Sequence, residues 1–275
     1  MKKINYKLIV SDFDGTLLTS TDEILQSVKT AISEYVACGG IFAVCTGRML
    51  CSILPRVREL GLKGIVVAHQ GTVIAEIESG KILKYGGLES SDVSVICKSI
   101  EKFGHCVNVY SGDGIYTDLP KHDKYLNQYE KIIGVEAHSV TDMPLSEYVL
   151  KNNLFCQKVA SLLPQSERDA LYNNLLKDLG ERFDVTCSAS VLVEISPRSD
   201  NKGEALKFIA NYFNIDISST VAIGDNLNDL SMVKAAGVGV AVGNATQALK
   251  DAADFVTVSN DEGAVAKIIE KFGFK

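Results

Sequence analysis

Two short acidic motifs, separated by almost the whole chain, constrain the fold of this sequence more than any other feature. Ser11-Asp12-Phe13-Asp14-Gly15-Thr16 follows the apolar run Leu8-Ile9-Val10, and Gly224-Asp225-Asn226-Leu227-Asn228-Asp229 follows Val221-Ala222-Ile223. A brief apolar run closed by turn residues reads as a buried strand, so Asp12, Asp14, Asp225 and Asp229 are expected at strand ends. The carboxyl ends of parallel strands in an α/β sheet open onto one crevice, where the two motifs meet despite their separation in sequence. Carboxylates crowded in this way repel one another unless a cation joins them. An all-oxygen ligand set of this hardness suits Mg²⁺, which completes its shell with water and phosphate oxygens.

The pattern around the motifs supports such a sheet. From Lys7 to about Ala68 strand and helix signals alternate, as in a parallel sheet with helices on its faces. Ser20 and Glu23 have capping-box spacing ahead of the stripe Ile24, Val28, Ala31, Ile32 and Tyr35, and Gly39-Gly40 provide a stop. Ile41 to Cys45 is the next strand, ending at Thr46-Gly47-Arg48. Thr72 to Ile77 and Lys81 to Tyr85 are expected to form a hairpin around Ser79-Gly80. The middle third changes character, with short strands (107–110, 115–117, 158–162, 183–186, 191–195) among helical stretches at 91–103 and 166–179. From Asn201 the alternation of helix and strand resumes. The fold class expected is therefore α/β, a Rossmann-like three-layer core with a parallel sheet, carrying an inserted α+β cap. Residues 1–85 and 196–275 form the core and 86–195 the cap.

Charge separates the same regions. The chain of 275 residues has a net charge of −6, and residues 86–195 hold ten Lys and Arg against sixteen Asp and Glu, so the excess lies wholly in the insert. No clustered basic face exists for nucleic acid. The N-terminus runs into the first strand without an apolar signal core, and no apolar stretch approaches membrane-spanning length, so a cytoplasmic setting away from membranes is expected. Seven cysteines (Cys38, Cys45, Cys51, Cys97, Cys106, Cys156, Cys187) include no C-x-x-C pair, which suggests neither a disulfide framework nor a zinc site. A monomer or weak homodimer is the expected assembly.

Three further residues suit chemistry on an anion. Lys202, in Asn201-Lys202-Gly203, stands at a helix start where backbone N–H groups and its ammonium face any bound phosphate. Thr46 adds a hydroxyl donor, and Gly47 permits close backbone approach. In this order the motifs resemble those of the haloacid dehalogenase-like phosphatases over nearly the full chain. The run Ala235-Ala236-Gly237-Val238-Gly239-Val240-Ala241-Val242-Gly243-Asn244-Ala245, followed by Ala253-Asp254 and Ser259-Asn260, is similar to the subgroup called Cof-type. The resemblance implies that Asp12 attacks phosphorus to give an aspartyl-phosphate and that Asp14 protonates the leaving oxygen and later deprotonates water. It also implies that Thr46, Gly47, Arg48, Lys202 and Asn228 bind the phosphoryl group or substrate, and that Asp12, the Asp14 carbonyl and Asp225 hold Mg²⁺ with Asp229 in support. Where many members carry Asn-Gly-Ala after the third strand, this chain has His69-Gln70-Gly71-Thr72, and Asn201 stands where a serine often precedes Lys-Gly.

Each motif alone has a plainer reading. Asp-x-Asp-Gly also opens calcium loops, but Leu17-Leu18 leave too few oxygen ligands before Glu23. Thr46 alone reads as a strand-end cap and Lys202 as a solvated first-turn residue; their company gives them weight. Arg48 suits either substrate or a surface acid. His69 and His122 read as structural, with a place in the pocket lining as the alternative. Gly237, Gly239 and Gly243 follow a helix instead of opening one, unlike a dinucleotide loop. The expected function is Mg²⁺-dependent hydrolysis of small phosphorylated metabolites. The alternatives are a phosphomutase that returns the phosphoryl group to a sugar and a catalytically silent sugar-phosphate-binding module.

Overall fold

The computed structural model describes residues 2–120, 123–189 and 191–275, so His122 lies outside the described residues. The N-terminal alternation of apolar runs and helical stripes folds into β1 (Leu8–Asp12), α1 (Gln26–Ala37), β2 (Ile41–Cys45), α2 (Leu50–Glu59), β3 (Ile65–Ala68), β4 (Val73–Glu76) and β5 (Ile82–Tyr85). The middle of the chain gives α3 (Ser90–Lys102), β6 (Asn108–Ser111), β7 (Gly114–Thr117), α4 (Lys124–Ile133), β8 (Ala137–Ser139), α5 (Leu145–Lys151), β9 (Lys158–Leu162), α6 (Gln165–Leu179), β10 (Phe183–Ala189) and β11 (Leu192–Pro197). Then follow α7 (Lys202–Tyr212), β12 (Thr220–Gly224), α8 (Leu230–Ala235), β13 (Val238–Ala241), α9 (Gln247–Ala252), β14 (Phe255–Val256) and α10 (Ala264–Ile268).

The chain divides into two compact units. One comprises residues up to Gly47, Ile53–Lys84 and Asn201–Lys275; the other comprises Arg48–Ser52 and Tyr85–Asp200. The first is built on an eight-stranded sheet of order β14-β13-β12-β1-β2-β3-β4-β5. From β14 to β3 neighbouring strands are parallel, and β4 returns antiparallel to β3. Helices cover both faces of the central strands, which is why β1 reads as a continuous apolar run and not an alternating one. Leu8, Val10, Ala43, Cys45, Ile65 and Val67 pack with Ala205, Leu206 and Ile209 of α7, all buried. Each Leu, Ile or Val buried this way contributes about 1.5–3 kcal/mol.

The second unit has its own sheet, of order β10-β11-β9-β6-β7-β8. Its strands pair antiparallel except for β7 and β8. Side chains alternate across it. One face (Val109, Val159, Val185, Val193, Ile195) packs with α3, α5 and α6. The other presents Tyr110, Ile115, Ala160, Leu162 and Leu192 to Met49 and to Leu126 and Ile133 of α4. Lys158 and Glu194 form an ion pair there, each side chain 1% exposed, and the Lys158 ammonium lies 4.5 Å from the centre of the Tyr110 ring. No helix among the described residues is long and apolar enough to cross a membrane.

One local expectation is corrected. Ser20 and Glu23 form no capping box, because α1 begins only at Gln26. Residues 19–23 close into a turn instead, with the Thr19 N–H donating to the Glu23 carbonyl at 2.8 Å and the Ser20 N–H to Asp261 Oδ1 at 2.8 Å. These bonds take the donors that a helix start would use. A tight turn at Leu227–Asp229 precedes α8, since the Asp229 carboxylate folds back to accept the Asp225 and Asn226 N–H groups at 2.9 and 3.1 Å.

Candidate active site

Parallel pairing fixes the site. Asp12, the last residue of β1, stands opposite Cys45 of β2, and Cys45 opposite Val67 of β3. β12 lies on the other side of β1, so Asp12, Thr46 and Asp225 all sit at carboxyl strand ends. Carboxylate oxygens of Asp12, Asp225 and Asp229 lie within 4.8 Å of one another. Lys202, at the first position of α7 and 1% exposed, places Nζ 2.5 Å from Asp12 Oδ1 and 2.5 Å from Asp229 Oδ1.

Three carboxylates against one ammonium leave this buried cluster short of positive charge. Burial, then Asp229, push the Asp12 carboxyl well above its usual range despite the opposing pull of Lys202. Burial likewise pushes Asp225 up to about 7, with Asp229 adding to the rise. For Lys202 burial works against the charge, but Asp12 and Asp229 outweigh it and raise the ammonium well above its usual value. A carboxyl group at about 7 in a cleft of oxygen ligands fits a site that a divalent cation completes. The adjacent Cys45 is no rival nucleophile, since burial pushes its thiol up to about 12.

The loop after Asp12 is held from several directions. Gly15 has φ 77°, and a Cβ there would lie 2.7 Å from Asp225 Oδ2, so only glycine lets the two acidic motifs approach. Thr16 Oγ1 donates to Asp225 Oδ1 at 3.4 Å. Asn244 Nδ2 donates to the Gly15 carbonyl and Asn260 Nδ2 to the Leu18 carbonyl, each at 2.8 Å, and the Asn260 N–H is tied to Asn244 Oδ1 at 3.0 Å. Sequence reasoning gave these two asparagines no task; their pairing with backbone carbonyls far away in sequence leaves no spacing signal.

Asp14 is exposed, and its charge still raises Asp12 and Asp225, which places it beside the cluster. Thr46 is 1% exposed. Its N–H donates to the Val67 carbonyl at 2.9 Å, and its carbonyl accepts from the Gln70 N–H at 3.0 Å. Asn228 Nδ2 donates to Gln70 Oε1 at 3.1 Å. Gly47 belongs to the first unit with the cluster, whereas Arg48 belongs to the second. His69 is buried just past β3 with φ 49°.

The chain is similar to known proteins over most of its length. A family described as haloacid dehalogenase-like hydrolase matches residues 9–269. Phosphatase YwpJ of Bacillus subtilis (strain 168) is 30% identical, the match covering 96% of this chain and 99% of that protein. An HMP-PP phosphatase of Yersinia pestis (strain Pestoides F) is 25% identical over 89% of this chain and 86% of its own length. Among solved structures, a haloacid dehalogenase-like hydrolase from B. subtilis superposes with a TM-score of 0.83 at 27% identity, covering 96% of this chain and 99% of that one.

Proposed function

Because this chain belongs to the haloacid dehalogenase-like hydrolases, we propose that it is a Mg²⁺-dependent phosphatase of small phosphorylated metabolites, with Asp12 as nucleophile. One observation carries the reading: the Lys202 ammonium clamps Asp12 and Asp229 at 2.5 Å each inside a cluster of three carboxylates. A structural ion pair needs one acid for one base. Two further acids in a cleft make sense where a cation and a phosphate dianion arrive together.

In this reading an Asp12 carboxylate oxygen attacks phosphorus as the bond from phosphorus to the ester oxygen breaks. Asp14, the exposed acid of the pair, gives its proton to that leaving oxygen. The same carboxylate then takes a proton from water, whose oxygen attacks phosphorus, breaks the Asp12–phosphorus bond and releases inorganic phosphate. Splitting one displacement into two lets Asp12 be regenerated each turnover. Lys202 and Thr46 hold phosphoryl oxygens. Asp12, Asp225 and the Asp14 carbonyl would hold Mg²⁺, with Asp229 fixing Lys202 and the Asp225 backbone. When bound, the cation supplies charge neutralisation of the transferring group, worth several kcal/mol.

The second unit is assigned the choice of substrate. Its residues 86–195 carry a net charge of −6, which disfavours extended polyanions relative to a small phosphate ester. The name of the Yersinia relative, an HMP-PP phosphatase, agrees with a small phosphorylated substrate. The test is phosphate release from a panel of sugar phosphates, nucleotides, flavin mononucleotide and pyridoxal phosphate, with Mg²⁺ or chelator, for wild type and Asp12→Asn. Release that requires Mg²⁺ and is abolished in Asp12→Asn, with thermal unfolding unchanged, is expected. Turnover only in the presence of a bisphosphate activator would identify a mutase, and ligand binding without phosphate release a silent binding module.

A further inference from the structure

Gln70 occupies a backbone conformation that its side chain does not favour. Its φ of 62° lies in the left-handed region, where a residue without a short polar side chain is strained, and it is 2% exposed. The same residue ties three parts of the site together. Its N–H donates to the Thr46 carbonyl at 3.0 Å, and its Oε1 accepts from Asn228 Nδ2 at 3.1 Å. Its Nε2 lies where a Cβ on residue 47 would fall, so the glycine of Thr46-Gly47 is the residue that admits the Gln70 amide.

Sheet order makes this contact unusual. Gln70 follows β3 and Asn228 follows β12, with β1 and β2 between them. The amide pair therefore spans the carboxyl ends of the two strands that deliver Asp12 and Thr46. Asn228 directly precedes Asp229, the partner of Lys202. With one Nδ2 hydrogen on Gln70, the Asn228 amide keeps its second N–H, beside a buried Oδ1 without a hydrogen-bond partner. That second Nδ2 hydrogen is a donor suited to a phosphoryl oxygen.

We propose that Gln70 is a positioning residue for phosphoryl binding, holding one N–H of the Asn228 amide so that the other N–H faces the ligand, and that its strained backbone is retained for that task. The inference rests on the phosphatase reading. It also assigns Gly47 its role, which is to leave room for the Gln70 amide.

The experiment compares wild type, Asp12→Asn, Gln70→Gly, Gly47→Ala and the Gln70→Gly/Gly47→Ala double variant. Each is assayed for Mg²⁺-dependent hydrolysis of p-nitrophenyl phosphate, inhibition by orthovanadate and thermal unfolding. Glycine at position 70 relieves the strain, so unfolding of Gln70→Gly should occur no lower than in wild type. Its kcat/KM should fall about ten- to a hundredfold, the worth of one hydrogen bond to a charged group, and orthovanadate should inhibit more weakly by a similar factor. Gly47→Ala should show a comparable loss, and its penalty should shrink at least about fivefold in the Gln70→Gly background, because there is no amide left to displace. A purely structural Gln70 would leave catalysis and orthovanadate inhibition at wild-type levels, or lower stability and activity together. Either result overturns the proposal, as does an undiminished Gly47→Ala penalty in the double variant. An inert wild type overturns the phosphatase reading and this inference with it, whereas an active wild type beside an equally active Gln70→Gly overturns the inference alone.

Discussion

Asp12 and Asp14 are two residues apart, yet one is 4% exposed and ion-paired while the other is exposed. In the proposed mechanism, environment divides their work. A buried carboxylate held by an ammonium cannot exchange protons readily with solvent and is suited to attack; an exposed one can exchange and is suited to acid and base duty. Asp14→Asn should therefore lower kcat about 10²–10⁴-fold on an alkyl phosphate and much less on p-nitrophenyl phosphate, whose leaving group needs no proton. Parallel measurement on the two esters checks this, and equal losses would remove Asp14 from the acid role. Much of this residue-level picture was legible from the sequence, because Asp12 and Asp225 each follow a strand-like run and strand ends in a parallel sheet converge. The parts that were not legible depend on long-range contacts: Asn244 and Asn260 on the Asp12 loop, and Gln70 against Asn228.

Among elements, α7 delivers Lys202 and its start is fixed by Asn201, whose Oδ1 accepts the Glu204 N–H at 3.0 Å. Asn201→Ala should cost about 0.5–2 kcal/mol of stability, and Asn201→Ser should restore most of it, both read from denaturant unfolding. In the second unit, Asp118 follows β7, and its Oδ1 accepts the Val107 N–H at 2.8 Å. Burial raises this carboxyl above its ordinary 3.8, with Glu101 adding to the rise against the Val107 bond. The folded state thus holds the proton more tightly than the unfolded chain, and stability falls as pH rises from about 4 through the folded value. Asp118→Asn keeps the acceptor without the charge. It should melt higher than wild type at pH 7, with the difference vanishing in acid; a pH-independent gap would contradict this account. The strands at 107–110, 158–162 and 183–186 were readable from β-rich runs, but α4, α5 and β8 were not recognised. Helix α4 does carry the stripe Leu126, Tyr129 and Ile133 between an Asp123 N-cap and a Gly134 stop, and was passed over, whereas α5 and β8 are too short for a period to show. Helix α1 was misread at its start because the Thr19 turn competes for the donors that a capping box needs.

At the scale of the whole molecule the two units own separate hydrophobic cores, yet the second recruits Arg48–Ser52 from far upstream. Met49, 1% exposed, is embedded among Tyr110, Ile115 and Leu126 of that unit. A graft that exchanges only the long insert for a relative's leaves this methionine facing a foreign surface, at a cost of about 2–5 kcal/mol if its cavity is lost. Chimeras that also carry the donor's residues 48–52 should express in soluble form and unfold at higher temperature than those joined at the insert boundaries alone; equal behaviour of the two designs would show that the stretch is interchangeable. The consequence reaches beyond engineering. A lineage acquiring a new second unit by recombination at two breakpoints would inherit a mismatched anchor, so the short stretch after Thr46-Gly47 must change in step with a distant module, and the history of the two should be recorded together.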